Sequence, residues 1–549
     1  MLTRRNFYSR RSNIIHNMAK GKQFARPGKA PKAKAIEPQT PDEFQEAADK
    51  EEETGGKWRA GDPAKSGRAF LRALEVYDKG LKKFATNFDL AYNKARLELE
   101  LSQSPEIVEK LGLDLVALLR QTLESHRVAL ALDAENVDVR FNASQVLTSL
   151  AEVLSESEDG EDEEAVKCLH ESLEMLEGCL ARQEMAIEQQ KADFPSSGEE
   201  GAEEEDGGVP VDGAAETKEE TAEKADGEEE ADDWEEEPEQ SAVIVNPVTG
   251  SDLLDTVHAS LSALTTLIPL VGESALGNLG DMAHAFTDTK APKYIALLPE
   301  DEQDAAKLEV GLARASFIAA YADAQYAARL IELKTYIERL QAFDIPGKDD
   351  DAHALMTEAQ ARSEAVLAAL DQVDASSEFP AGDCWKQLSI TQDRLTKASK
   401  LTTDDAKECK AEVYQAKGDA ELLRYRLATM PGSTLSESVR NSGLTLLSNA
   451  FTFYKGAGNH AKALGEVEVG EKAKRRMALI HVMATVVSKS PGASSAAGSS
   501  SSSSSSSVAP KIPGPPPKGV DLEEAFNECL EDGLMDFAGA GQIMEGLQG

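Results

Sequence analysis

The chain reads as an all-α protein, and three observations lead there. Aromatic residues are only 5% of its 549 residues against 41% hydrophobic in all, enough apolar material for packed helices but thin for a β-sandwich or barrel. Over residues 41–191 and 248–488, Ala, Leu, Glu and Lys dominate, and apolar residues recur three and four apart with no strand-like alternation. Pro346-Gly347, Pro380 and Pro431-Gly432 punctuate the second stretch as helix ends do.

Taken in order, residues 1–40 form a basic tail. It holds no acidic residue before Glu37 and ten positive charges, from Arg4 to Lys34. Such a tail suits a nuclear signal or a solvated end, and residues 1–36 also have the composition of a mitochondrial presequence. The expectation is a cytoplasmic or nuclear protein, with mitochondria as the alternative. Met18 offers a second start that would leave only the Lys/Arg/Pro/Gly arm.

Residues 41–191 make a first helical block. Residues 192–247 break the pattern: between Ser196 and Gln240 stand 21 carboxylates and two lysines, a composition that cannot bury a core and is expected to be disordered. Residues 248–488 are a second helical block, and 489–520 a low-complexity linker with the serine run Ser499–Ser507 and Pro513, Pro515, Pro516 and Pro517. The last segment, 521–549, has no lysine or arginine and carries Leu522, Phe526, Leu530 and Leu534 four apart, an acidic amphipathic helix. The linker before it implies that this helix roams, with Phe526 and Leu530 dispensable for folding.

Charge and cysteine usage narrow the function. A net charge of -40 repels phosphate backbones, so nucleic acid is not expected as a direct ligand. Cys168, Cys179, Cys384, Cys409 and Cys529 form no Cys-x-x-Cys pair and are odd in number, which fits a reducing compartment. Cys168 and Cys179, eleven residues apart, would share one helix seam as small hydrophobes. The apolar runs Ala263–Val271 and Ala478–Val487 are about half the roughly 20 residues a membrane span needs, so no membrane association is expected.

Catalytic constellations do not emerge. The eight histidines are scattered without metal-ligand spacing, and Gly272, Gly277 and Gly280 lack a following Gly-Lys-Ser/Thr. The carboxylates lie mostly in exposed runs, unlike the desolvated acids of acid–base catalysis. Neither an enzyme nor a cofactor or metal site is expected.

The chain also repeats itself. Ala85-Thr86-Asn87-Phe88-Asp89-Leu90-Ala91-Tyr92-Asn93 recurs 49 residues later as Ala134-Glu135-Asn136-Val137-Asp138-Val139-Arg140-Phe141-Asn142. Asn at the turn and Asp just beyond it suit a helix start, because short polar side chains accept its free amides. A second set, Gly61-Asp62, Gly418-Asp419 and Gly458-Asn459, reads as small-residue turns, the last two preceded four residues earlier by Tyr414 and Tyr454.

With Ala450, Tyr454, Gly458, Asn459, Lys462 and Ala463, these residues resemble the tetratricopeptide repeat. The copies depart from it in having Ala85 and Ala134 in place of the usual proline and in exceeding a period of about 34. The resemblance implies a right-handed superhelix of helical hairpins interrupted by the acidic insert, with a concave face that binds protein.

The functional expectation is therefore a non-enzymatic protein-binding scaffold, a chaperone or assembly adaptor for a basic client such as a ribosomal protein or histone. The alternative is a general subunit of a transcription, transport or mitochondrial complex that takes a neutral peptide or helix in its groove. Trp58 and Trp385 sit where aromatics lock hairpins. Trp234 lies instead in the polyacidic insert, flanked by Asp232, Asp233, Glu235, Glu236 and Glu237. These six residues, with Phe526 and Leu530, are the candidate partner-binding set.

Overall fold

The computed structural model describes residues 38–59, 61–156, 161–193, 247–372, 379–489, 517–536, 539–541 and 543. Among them are twenty α-helices and no strand. The first block holds α1 (Pro41–Trp58), α2 (Pro63–Lys83), α3 (Phe88–Ser102), α4 (Pro105–Leu111), α5 (Leu115–Leu132), α6 (Val137–Ser155) and α7 (Asp162–Asp193). The second begins with α8 (Gly250–Leu267), α9 (Glu273–His284), α10 (Ala291–Ile295), α11 (Gln303–Ala327), α12 (Leu333–Arg339), α13 (Ala352–Asp371) and α14 (Ala381–Ala398). It continues through α15 (Asp404–Glu408), α16 (Lys410–Thr429), α17 (Glu437–Arg440), α18 (Gly443–Leu464) and α19 (Val467–Lys489), and α20 (Leu522–Glu531) lies in the C-terminal segment.

Helix starts follow the local chemistry. Asn87 and Asn136, the repeated residues, each accept the amide three residues on, from Leu90 and Val139, and so cap α3 and α6. Thr249 and Asp252 form a reciprocal capping box on α8. Pro41, Pro63 and Pro105 occupy first helical positions, where a missing N–H costs nothing.

The longer helices pack mainly on the ones before and after them, and alternate helices also touch: α1 with α3, α3 with α6, α6 with α8, and later α13 with α16 and α16 with α19. One apolar cluster runs from Leu99 through Leu119, Val146, Leu169 and Leu180 to Leu254, Val257, Leu264 and Phe317. It therefore crosses from α7 to α8, although 194–246 separates them in sequence. The helical stretch Gly250–Leu270 is long and apolar enough by length and composition to cross a membrane, longer than its apolar run Ala263–Val271 indicates, and much of it is buried within the stack.

The three Gly-Asp and Gly-Asn pairs do not share one role. Gly61 does precede a turn, with Asp62 capping α2, but Gly418-Asp419 lies inside α16 and Gly458-Asn459 inside α18. Close packing explains two glycines of this pair of helices. A Cβ on Gly418 would stand 2.7 Å from the Tyr454 ring, and one on Gly456 would stand 2.6 Å from the Tyr414 ring. Each helix thus presses a tyrosine onto the other's glycine, and the Tyr454 hydroxyl donates to Asp419 at 2.5 Å. The backbones approach because two side chains are missing, and both helices run straight through.

Trp58 is the last residue of α1, 40% exposed, with the Lys65 ammonium over its ring; Arg424 lies over the Trp385 ring at 5.2 Å. All five cysteines are buried and free. Desolvation raises the Cys179 thiol to about 12, which keeps it protonated and a poor nucleophile.

Replacing Gly418 with alanine should destabilise the protein by about 1–3 kcal/mol through overpacking against Tyr454. Urea denaturation followed by circular dichroism measures this. An unchanged midpoint would mean that the tyrosine–glycine contact does not set the α16–α18 distance.

Candidate partner-binding surface

The alternate helices of the first block run parallel, as their cross-links show. Asn93 of α3 donates to Gln45 of α1 at 3.1 Å, and Arg96 of α3 is paired with Glu52 of α1, which also accepts from the Tyr77 hydroxyl at 2.7 Å. Burial and the Asp138 charge on α6 push the Tyr92 hydroxyl above the usual phenol range, and the Asn142 side chain bonds to it. These early positions in each helix meet one another, so the helix N-termini share one rim. Asp42, Asp89, Asp138 and Asp252 stand exposed on it.

Negative charge at helix N-termini is stabilising, which is reason enough for these aspartates as individuals. Together they do more. Desolvation and the charge of Asp252 raise the Asp138 carboxyl above its ordinary range, so two neighbouring α-helices present like charges to each other. A cation placed between them would relieve that repulsion.

Helices α7 and α8, which flank residues 194–246 in sequence, meet beside this rim. Gln183 of α7 donates to the Asp252 carbonyl at 3.2 Å and accepts from the Thr256 hydroxyl at 2.9 Å. The Gln190 amide, oriented to donate to the Val248 carbonyl at 3.2 Å and to accept its N–H at 2.9 Å, ties the two ends together. Trp234, Asp232, Asp233, Glu235, Glu236 and Glu237 lie outside the described residues.

The C-terminal candidates are placed otherwise than expected. Phe526 is 7% exposed and joins Ala525, Cys529, Leu534 and Met535 in the apolar cluster that includes Val366, Leu370, Leu423, Leu427, Ile480 and Met483, and Leu530 packs against it. The segment is docked: Phe526, Leu530 and Leu534 of its apolar stripe are covered by the chain's own second block, while Leu522 stays exposed. Around the stripe, Lys472 reaches Asp532 at 2.8 Å, Arg475 holds Glu528 at 3.0 Å and Glu524 at 3.3 Å, and the Arg426 guanidinium donates to the Gly533 carbonyl at 2.6 Å. Arg476 is wholly buried: its guanidinium meets Cys529 Sγ, the Glu528 carbonyl and the Asp532 carboxylate.

No family model matches the chain. Over 125 residues it is 38% identical to the Schizosaccharomyces pombe protein described as UPF0656 protein C926.02, a stretch that is 23% of this chain and 27% of that relative. The similarity thus spans about a quarter of each protein.

Lys472, Arg475 and Arg476 were not singled out by the sequence reading. The available signal was the basic run Lys472-Ala473-Lys474-Arg475-Arg476 in the helix preceding the acidic segment, its complement in charge.

Phe526→Ala should weaken docking of the segment by about 3 kcal/mol, the usual loss for a buried phenylalanine. Limited proteolysis should then remove residues after 520 faster, and the melting temperature should fall by several degrees. Parental cleavage and melting would show that Phe526 contributes nothing to docking.

Proposed function

We propose that this protein is a non-enzymatic scaffold of the tetratricopeptide-like class, a right-handed superhelix of hairpins, that escorts a strongly basic protein client. The observation that carries the reading is a run of 21 carboxylates between Ser196 and Gln240, inserted between helices α7 and α8, whose Gln190 and Val248 are tied together beside the rim where Asp138 meets the charge of Asp252. A field of one sign at a fixed rim attracts an Arg/Lys-rich client at long range and steers its approach, while repelling nucleic acid.

Two roles follow for the insert. Its carboxylates set the encounter rate, and Trp234, an aromatic within the polyacidic run, serves as an anchor that sets residence time. The paired alternate-helix face, with Tyr92, Asn93, Phe141 and Asn142 at its surface, would hold the client's backbone and side chains. The arrangement needs neither a cofactor nor a catalytic group.

The test starts with affinity purification of the full chain from its own cells and identification of the dominant partner. With that partner purified, changing the acidic residues of 228–237 to Ser or Gln, Trp234 retained, should slow association about tenfold or more at low salt and flatten its salt dependence. Trp234→Ala should instead speed dissociation. A client that is not basic, or an association rate and salt dependence unchanged by the charge-neutral variant, would sink this reading in favour of a scaffold that binds a neutral helix in its groove.

A further inference from the structure

The docked C-terminal segment joins the second block through segregated charge as well as through apolar contact. Every ionic contact described above between it and the second block runs in one direction, from Lys472, Arg475 and Arg476 to Glu524, Glu528 and Asp532. Residues 521–549 contain eight carboxylates and no lysine or arginine, so the segment remains strongly hydrated whenever it leaves. Permanent helical layers bury apolar residues, because burying an ion pair gains little over burying hydrophobes. Segregated charge belongs to surfaces that meet and part, where it supplies specificity and encounter rate.

The surface receiving it is also composite. Gly533 packs on Leu367 of α13, its carbonyl accepts from Arg426 of α16, and the ion pairs are on α19. Of these helices α16 touches both α13 and α19, so the segment crosses a face made by the stack. Asp419 of α16 and Tyr454 of α18 interact electrostatically with Arg476 from the receiving side.

We propose that the face formed by α13, α16 and α19 is a receptor for acidic amphipathic helices, and that residues 521–536 occupy it as a tethered, exchangeable ligand. Residues 490–516 supply the covalent connection, and tethering of this kind gives an effective concentration of the order of millimolar. A segment of only micromolar intrinsic affinity stays docked under these conditions. A partner whose acidic helix reproduces the apolar stripe of Phe526, Cys529 and Leu534 takes its place when it binds more tightly than the tether favours the resident. The inference is independent of the client proposed for the acidic insert.

The experiment uses the full chain with a protease site placed inside Ser499–Ser507. After cleavage, the C-terminal fragment should co-elute with the body at low ionic strength and leave it at about 0.5 M salt, where charges are screened within a few ångströms. The body should keep its helical circular dichroism. A fluorescent peptide of residues 517–549 should then bind the vacated face by anisotropy, compete with the unlabelled peptide, and lose at least tenfold in affinity when the body carries Arg475→Glu, a partly exposed change that leaves Arg476 in place. A scrambled peptide of the same composition, without the apolar stripe, should bind at least tenfold more weakly.

Three results would overturn the proposal. A fragment that stays until the body unfolds is a permanent core layer. A fragment that leaves at low salt, with no peptide binding at tens of micromolar, means there is no receptor. Equal binding of the scrambled peptide reduces the contact to charge alone.

Discussion

A helical hairpin covers only one side of each of its helices, so each layer of a stack depends on the next for burial of its remaining apolar side. That requirement governs the contact between α7 and α8. Leu169 and Leu180 on one helix and Leu253, Leu254, Val257 and Leu261 on the other belong to a single cluster extending to Phe317, so the stack does not stop where the sequence turns acidic. Residues 194–246 are inserted between two helices that touch. The buried bonds from Gln183 to Asp252 and Thr256 fix this junction with polar geometry as well as apolar contact.

At the far end, α19 carries a cover besides α18. The chain supplies it from a segment more than thirty residues downstream, and joins it with charges as well as with Phe526 and Leu534. The two acidic regions thereby have different electrostatic settings. At the α6–α8 rim the Asp138 carboxyl meets the like charge of Asp252. On α19 the carboxylates Glu524, Glu528 and Asp532 are already paired with the chain's own arginines and lysine.

Helix starts were the most legible feature of the sequence. Asn87 and Asn136 act through their own side chains on amides three residues away, and Pro41, Pro63 and Pro105 act through their own rings, so local sequence is sufficient information. Gly418-Asp419 and Gly458-Asn459 look locally like Gly61-Asp62, yet only the last precedes a turn. What distinguishes Gly418 is Tyr454 on another helix, which no local pattern reveals, whereas Gly458 meets only Ala473. Docking of Phe526 was illegible for a related reason. The four-residue spacing shows that an apolar stripe exists, while its cover depends on α13, α16 and α19 lying side by side.

The candidate site was legible in composition and not in geometry. The polyacidic run around Trp234 is evident from residue types alone, but the meeting of Asp138 and Asp252 at one rim follows from helix packing. So does the tie from Gln190 to Val248, which brings the ends of the acidic stretch together. The central claim, that the helices before and after this stretch form one stack, is tested most directly by replacing residues 194–246 with a short Gly/Ser linker and following amide hydrogen exchange. One shared core predicts a folded protein in which the amides of α6, α7, α8 and α11 keep their protection and exchange in one cooperative unit. Loss of protection in α7 or α8, or separate unfolding of the helices on either side, would contradict it.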